Sequence, residues 1–192
     1  MKNKIDEFQG TRKRIKDAIE KRHGWLEDEK ESQASRCNTH FRNFCNLGGY
    51  TGSLEILHAK RDYNEQLDRL EKVSSGTIEI KVKPPGQQQD ASIGNLSGGE
   101  RSYITVCFIC ALWSVMDSPF KFLDEFDVFM DVKHRDLAVN LLYEVGTKTQ
   151  SGAKQIFLLT PNDVKSKSVI SNFDTTNCNV FQLKDQQASF RK

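Results

Sequence analysis

Residues 95–131 read NLSGGERSYITVCFICALWSVMDSPFKFLDEFDVFMD and contain the strongest structural signal in the chain. Residues 102–116 are almost continuously apolar or aromatic, and a second short apolar run, Phe120 to Leu123, follows Pro119. A strand as apolar as Phe120 to Leu123 is typical of a sheet that is covered on both faces. The segment therefore predicts a buried helix followed by a buried strand.

The flanking segments extend this order of elements. Downstream, Leu137, Leu141, Leu142 and Val145 predict an amphipathic helix ended by Gly146. Residues 155–160 and 179–183 predict two further short strands. Helices that alternate with strands in this order are typical of an α/β fold, and we expect a largely parallel sheet.

Upstream of residue 95 the apolar pattern changes its period. Alternation of period two predicts one strand around Leu54 and Ile56 and another over residues 78–82, ended by Pro84-Pro85-Gly86. Between them, residues 59–75 are strongly charged, and three apolar residues at helical spacing favour a surface helix or a mobile insertion. Residues 87–95 are polar, which predicts a flexible linker.

The first 45 residues predict a long helix with one apolar seam. The seam alternates steps of three and four residues, as in a coiled coil, through Ile5, Phe8, Arg12, Ile15, Ile19, Arg22 and Leu26. Two arginines in the seam and glycines at positions 10 and 24 weaken such a helix, so it needs a partner. The alternative is an amphipathic helix that lies on the core of its own domain. We divide the chain into a stalk, residues 1–45, and a globular part, residues 46–192.

Composition limits the classes of function. The chain has 192 residues, 37% of them hydrophobic, and a formal net charge of +2, which fits one domain without a strongly charged overall surface. It has no apolar run long enough for a bilayer and no secretion signal at its start, so we expect an intracellular protein without membrane contact. The pair Cys107 and Cys110 has metal-ligand spacing, but its apolar helical setting favours two buried thiols.

The turn Leu96-Ser97-Gly98-Gly99-Glu100-Arg101 lies between the polar linker and the predicted buried helix. Glycines let the backbone approach an anion closely, the Ser97 hydroxyl is a hydrogen-bond donor, and a helix N-terminus offers free N–H groups. These properties suit a phosphate. Taken alone, the turn is equally compatible with a simple helix cap.

Asp124 and Glu125 follow the predicted buried strand directly. The ends of strands in open α/β sheets are where ligands gather. Adjacent carboxylates beside a hydrophobic core repel each other, so a cation or a phosphate site explains them better than packing does. In phosphoryl transfer one carboxylate assists Mg²⁺ binding, and a nearby base orients the attacking water.

The turn and the acidic strand end together resemble the signature motif and the Walker B motif of the ATP-binding cassette superfamily. Residues 49–56, GYTGSLEI, and residues 157–163, FLLTPND, are also similar to the ATPase heads of structural maintenance of chromosomes (SMC) proteins. The resemblance extends from about residue 41 to the end of the sequence. It implies the C-terminal half of an α/β head with the stump of a coiled coil at its N-terminal side.

The resemblance also implies a role for each motif residue. Asp124 would assist Mg²⁺, Glu125 would polarise the hydrolytic water, and the cofactors would be ATP and Mg²⁺. The signature residues would contact the γ-phosphate of a nucleotide held by the opposite head: Ser97, Gly98, Gly99 and Glu100. Asp131 would lie in the D-loop that links two heads, and Thr160 would occupy the switch position, where transporters have histidine. Lys121 interrupts the apolar strand, and we expect its stem to snorkel to the surface.

A P-loop, GxxxxGK[ST], does not occur anywhere in these residues. In the SMC family that loop lies in the N-terminal half of the head, so the resemblance implies a half-site that is inactive in isolation. The implied partners are the N-terminal half, a second SMC head, kleisin-type and other non-SMC subunits, and DNA. The implied setting is DNA repair on chromosomes in the nucleus. Two alternatives are a transporter's nucleotide-binding domain and a non-catalytic docking module for a kleisin-type subunit.

Overall fold

A computed structural model of the chain describes residues 2–59, 61–64, 69–73, 75–147, 155–162 and 178–182. Helix α1, Lys2–Leu47, opens the fold as predicted. Its 46 residues make it roughly 69 Å long. It ends at Gly48-Gly49, where the positive φ of +82° at Gly49 suits a residue without a Cβ atom.

The two ends of α1 have different surroundings. The apolar members of the seam are exposed to about half or more of their surface: Ile5, Phe8, Ile15, Ile19 and Leu26. Near the other end, Cys37, Phe41 and Cys45 are fully buried in the core. The alternative in which the seam lies on the domain's own core is therefore wrong. The boundary between residues 45 and 46 stays a prediction, and the last turns of α1 share one core with the globular part.

Three strands form an antiparallel sheet against the end of α1. Strand β1, Thr51–Leu57, pairs with β4, Thr77–Lys83, and β4 pairs in turn with β5, Ala91–Ser92. The predicted alternation is confirmed for β1, where Leu54 is buried, but only in part for β4, where Val82 is buried and Ile78 is 53% exposed. Gly52 lies so close to α1 that an added Cβ would stand 2.6 Å from the Cys45 sulfur. The predicted flexible linker, residues 87–95, has regular structure in its second half, which consists of β5 and a short 3₁₀ turn, Ile93–Asn95.

The segment between β1 and β4 is a hairpin, so the predicted surface helix is wrong. Strand β2, Arg61–Asn64, pairs antiparallel with β3, Arg69–Val73. The physical reason lies in the neighbouring sheet. The register of β1 and β4 ends at the pair Leu57 and Thr77, so the chain leaves and returns at one point, and a hairpin joins those ends while satisfying its own backbone hydrogen bonds.

The predicted buried helix is α2, Gly98–Val115, and it is followed by β6, Phe120–Asp124, then α3, Val132–Thr147, and β7, Gln155–Leu159. Strands β6 and β7 are parallel. The expected parallel pairing is therefore confirmed for β6 and β7, whereas the described strand pairs upstream of α2 are antiparallel. In the described part of the chain β1 and β5 each pair with β4, and none of these three strands pairs with β6 or β7.

The core forms where α1, α2, α3 and the antiparallel sheet meet. Its largest fully buried side chains are Phe41, Val82, Tyr103, Ile104, Leu141 and Leu142. Helix α2 is central, since buried residues lie on several of its faces and it packs between the other two helices. At the N-terminal end of α2 lies the turn that contains Ser97, Gly98 and Gly99, which we call the signature turn.

One face of the β6–β7 pair is uncovered. Phe120 and Phe122 are 56% and 63% exposed, and the Phe122 ring stacks on that of Phe157 with centroids 4.6 Å apart. The expectation of a strand buried on both faces is therefore wrong within the described part of the chain. Residues 178–182 lie outside regular structure, so the strand predicted over 179–183 is wrong as far as residue 182, and Leu183 lies outside the described residues.

Candidate nucleotide half-site

The signature turn is a complete capping box at the start of α2. The Ser97 Oγ accepts a hydrogen bond from the Glu100 N–H at 3.3 Å, and the Ser97 N–H donates to the Glu100 Oε2 at 2.9 Å. Both Ser97 and Gly98 are exposed. The Ser97 hydroxyl still has its own proton to donate, and the N–H groups of Gly98 and Gly99 belong to the first helical turn, where no intrahelical acceptor exists. The turn can therefore offer donors to an anion.

The acidic strand end is also exposed. Strand β6 ends at Asp124, and the next residue, Glu125, has a positive φ of 49°, which is uncommon for a residue with a side chain. The Glu125 N–H donates to the Leu159 carbonyl oxygen at 3.0 Å, so β7 holds this backbone in place. Within the ranges that the structure describes, neither carboxylate has a hydrogen-bond or ion-pair partner. Both are free to meet a ligand.

A buried carboxylate that the sequence analysis missed lies two residues further on. Asp127 is 1% exposed, and both of its carboxylate oxygens lie 2.7 Å from the Thr160 Oγ, the hydroxyl that donates to them. The Asn162 Nδ2 donates to the same carboxylate at 3.2 Å. Thr160, the predicted switch residue, thus ties the end of β7 to the loop after Glu125. The repeat of acidic residues in Asp124-Glu125-Phe126-Asp127 was the available signal for Asp127.

Asp131 caps α3. Its carboxylate accepts from the His134 backbone N–H at 2.9 Å, and its other oxygen lies 2.8 Å from the His134 Nδ1. The His134 Nε2 lies 2.8 Å from the Tyr50 hydroxyl, which also lies 3.3 Å from the Glu100 Oε1. Asp131 is therefore linked to Glu100 through two side chains, Tyr50 and His134, that the sequence analysis did not single out. The spacing from Asp131 to His134 fits a helix cap and was the signal for one of them.

Hydrogen bonds and burial shift the pKa values of three groups in this network: Glu100, Asp131 and Tyr50. The Ser97 N–H lowers the pKa of Glu100, and the His134 backbone N–H lowers the pKa of Asp131. Both carboxyls are therefore ionised at neutral pH, and this contribution to stability is lost only as the pH falls through their lowered pKa values. Burial, with the nearby charge of Glu100, raises the pKa of the Tyr50 hydroxyl, which stays protonated.

The predicted site residues fall into two groups. The signature turn and the D-loop residue form one, since a Cβ added at Gly99 would lie 3.5 Å from the Phe129 carbonyl oxygen and 3.6 Å from the Asp131 nitrogen. Asp124, Glu125 and Thr160 form the other, at the ends of β6 and β7. Within the described part of the chain, no hydrogen bond joins the two groups.

Cys107, Cys110 and Lys121 have structural positions. Cys107 and Cys110 are fully buried in α2, and burial raises the pKa of the Cys110 thiol, as expected for packed sulfur. Lys121 does not reach solvent as expected. It is 4% exposed, because its ammonium donates to the Trp113 carbonyl oxygen at 2.8 Å and lies over the Trp113 ring.

Asp124 and Glu125 are the described residues that best fit a metal ion. No group of three or more potential ligands occurs in the described ranges, which does not suit Zn²⁺. Mg²⁺ instead binds through one or two carboxylates and completes its shell with water and phosphate oxygens.

None of the described helices is long and apolar enough to span a membrane.

A donor turn at a helix N-terminus, an acidic strand end and a long projecting helix define the C-terminal part of an ATPase head of the ATP-binding cassette type.

No protein-family model matches the chain. Structural maintenance of chromosomes protein 6 of Homo sapiens is 37% identical over 134 residues, 68% of this chain. The protein of the same name from Dictyostelium discoideum is 35% identical over 148 residues, 74% of this chain. Each match covers 11% of the relative's length.

Solved SMC heads have the same fold. The Pyrococcus yayanosii Smc head with a coiled coil and joint has a TM-score of 0.55 at 23% identity, over 82% of this chain and 28% of that one. A chain from a structural study of ATP-driven dimerization and DNA stimulated activation of SMC ATPases has a TM-score of 0.54 at 20% identity. The match covers 77% of this chain and 78% of that one. An SMC head bound to the C-winged helix domain of ScpA has a TM-score of 0.52 at 22% identity, over 72% and 38%.

The chain therefore belongs to the structural maintenance of chromosomes protein 6 family, and it corresponds to the C-terminal part of that family's ATPase head. The alternative of a transporter's nucleotide-binding domain is set aside by this membership.

Proposed function

We propose that the chain supplies half of each of two ATP sites in a chromosome-organising, two-headed ATPase. Asp124 and Glu125 act on the nucleotide of their own head, and the signature turn, Ser97–Gly99, acts on the nucleotide of the opposite head. The observation that carries this proposal is that the structure exposes two kinds of group, the anion donors at Ser97 and Gly98 and the carboxylates of Asp124 and Glu125, and that no hydrogen bond between described residues joins them. The first kind suits a phosphate and the second a metal ion and a water molecule.

At the acidic end, each residue has a distinct chemical role. Asp124 ends the strand and would assist Mg²⁺, which supplies charge neutralisation at the phosphate oxygens when bound. Glu125 would accept hydrogen bonding from the attacking water and orient it. Its backbone N–H donates to the Leu159 carbonyl oxygen, which keeps this residue beside the end of β7. A general base must lie within hydrogen-bond reach of the proton that it accepts, so this position is what the role requires.

At the signature turn, the same helix end that is stabilised by the capping box would bind the γ-phosphate. The Ser97 Oγ already accepts the Glu100 N–H, which leaves its proton for a phosphate oxygen. The Gly98 and Gly99 N–H groups add donors, and the helix dipole favours the negative charge. Glu100 keeps the turn in this conformation through its bond to the Ser97 N–H.

The exposed apolar surfaces support two of the partners. The uncovered face of β6 and β7 presents Phe120, Phe122 and Leu159, and it suits the N-terminal half of the same head, which would bring the P-loop. Phe129 is 77% exposed and Val132 62%, on either side of Asp131. This second surface suits the opposite head, for which we propose structural maintenance of chromosomes protein 5.

The stalk and its charge support the remaining partners. The exposed seam of α1 needs a second helix, and we propose the coiled-coil strand of the N-terminal half together with docking of a kleisin-type subunit beside it. Residues 1–22 contain eight Lys or Arg and four Asp or Glu, a local basic excess that suits DNA held by the assembled complex. We propose that the complex acts in DNA repair and genome maintenance on chromosomes in the nucleus.

Completion of the head tests the catalytic proposal. We expect no ATP turnover from this chain alone, turnover when it is combined with the N-terminal half and the second head, and loss of turnover when any one component is left out. A steady-state assay of phosphate release over a range of chain concentrations measures this. Turnover that scales with the concentration of the isolated chain would contradict the half-site, and a complete assembly without turnover would favour the docking-module alternative.

Salt dependence tests the DNA proposal. In the assembled complex, replacing Lys13, Arg14 and Lys16 by Gln should weaken DNA binding at low salt and reduce the slope of log affinity against log salt by up to about 3. Replacement of three other exposed side chains of α1, Gln9, Ser32 and Ser35, by Ala is the matched control. An unchanged affinity and slope would place the DNA contact elsewhere.

A further inference from the structure

Four side chains from three separate parts of the chain form a continuous series of hydrogen bonds. Glu100 belongs to the first turn of α2, Tyr50 to the turn between α1 and β1, and His134 and Asp131 to the start of α3. The Tyr50 oxygen lies 3.3 Å from the Glu100 Oε1 and 2.8 Å from the His134 Nε2. The His134 Nδ1 lies 2.8 Å from the Asp131 Oδ2. The series starts in the signature turn and ends in the D-loop.

The chemistry of the groups assigns the protons. Asp131 is ionised and has only acceptor atoms, so the His134 Nδ1 must carry a proton and donate to it. In the neutral imidazole the Nε2 then accepts the Tyr50 hydroxyl proton, consistent with the shorter of the two Tyr50 contacts. In the protonated imidazole the Nε2 donates to Tyr50, whose hydroxyl donates to Glu100. The series from Glu100 to Asp131 is complete in this protonated state, because in the neutral state Tyr50 gives its only proton to His134 and has none left for Glu100.

The bridge is shielded and rigid. Tyr50 is 3% exposed, and only 14% of the His134 side chain is exposed. The Tyr103 ring packs beside both, with centroids 5.8 Å from Tyr50 and 5.9 Å from His134. Gly99 lies against the backbone of residues 129–131, so the two joined segments are also in direct contact. A movement of the D-loop would therefore be passed to the signature turn.

We propose that Tyr50 and His134 are positioning residues that hold the signature turn and the D-loop of this head as one unit, ready to meet the opposite head. This inference rests on the proposed function. Neither residue touches the proposed nucleotide or water positions, and both act through Glu100 and Asp131. Nucleotide affinity at Asp124 and Glu125 should not depend on them, whereas the engagement of two heads should.

The test uses the full-length protein in its two-headed assembly. Tyr50→Phe and His134→Gln should each lower kcat for ATP about threefold to tenfold, which corresponds to the loss of one ordinary hydrogen bond. The KM for ATP should change less than twofold. The double variant should be no slower than the slower single variant, because the two residues belong to one series.

Tyr103→Phe is the matched control. It removes another buried tyrosine hydroxyl, which donates to the Phe44 carbonyl oxygen at 3.1 Å, without breaking the series. We expect it to lower thermal stability but to leave kcat within twofold of the wild type. Equal losses of kcat in all three variants, a loss confined to KM, or additive effects in the double variant would overturn the positioning role. If the wild-type assembly has no turnover at all, the proposed function fails and not this inference alone.

Discussion

Glu125→Gln should abolish ATP turnover by the two-headed assembly while ATP-bound heads accumulate as pairs. Gln has the same shape as Glu but is a far weaker proton acceptor, so the attacking water loses its base and kcat should fall by about 10²–10⁴-fold. The signature turn is untouched, so engagement with the opposite head remains. Turnover is measured by phosphate release, and pairing by size-exclusion chromatography with and without ATP.

The matched control for this variant is Asp117→Asn. Asp117 is an exposed carboxylate that precedes the opposite end of the same strand, β6, so its neutralisation changes the net charge equally but away from the proposed site. We expect its turnover to stay within twofold of the wild type. A Glu125→Gln assembly that turns over normally would remove Glu125 from catalysis and favour the docking-module alternative.

Ser97→Arg should prevent ATP-dependent pairing of the heads and lower turnover by about 100-fold, as expected when a donor to the reacting phosphate is lost. The long side chain would occupy the exposed space at the start of α2, and the hydroxyl donor and helix cap would be lost together. ATP binding to this head, measured by equilibrium dialysis, should persist. Combined with Glu125→Gln, the substitution should prevent the accumulation of pairs.

Two further variants separate the causes. Ser97→Thr keeps a capping hydroxyl and should retain most of the pairing. Ser92→Arg adds the same charge at an exposed residue whose side chain makes no capping hydrogen bond. It should pair normally. If Ser92→Arg and Ser97→Arg weaken pairing equally, the effect is one of charge, and the signature turn has no specific role.

Much of this fold could be predicted from periodicity. The predicted helix of the first 45 residues and the predicted buried helix of residues 102–116 both depend on local sequence patterns, and both helices are confirmed. Sheet topology could not be predicted in the same way. The pairing of β1 with β4 is set by contacts between segments far apart in sequence, and a charged segment such as residues 59–75 has no one-sided apolar pattern that separates a hairpin from a helix.

Burial of β6 was overpredicted for a different reason. Apolar strand residues indicate that a face becomes covered, but they do not say which part of the protein covers it. In this chain one face of β6 packs towards α2 and the other presents Phe120 and Phe122 to solvent. Lys121 alternates with them and lies on the inner face, where its ammonium donates a hydrogen bond to the Trp113 carbonyl oxygen. Strand alternation alone would have placed it there.

The candidate site divides in the same way. Ser97, Asp124 and Glu125 could be found from sequence because helix starts and strand ends have local signatures, and the structure leaves all three exposed. Asp127, Tyr50 and His134 could not, because their importance lies in contacts across the fold. The pairing of Asp127 with Thr160 joins residues 33 positions apart, and that of Tyr50 with His134 joins residues 84 apart.

The most direct measurement of the split site is a structure of the ATP-bound Glu125→Gln assembly of both heads. The Ser97 hydroxyl should lie at hydrogen-bond distance, about 3 Å, from the γ-phosphate of the nucleotide on the opposite head. In the same structure Asp124 and residue 125 should face the nucleotide of their own head. A structure in which Ser97 and Asp124 contact one and the same nucleotide, or in which Ser97 contacts none, would contradict the split site.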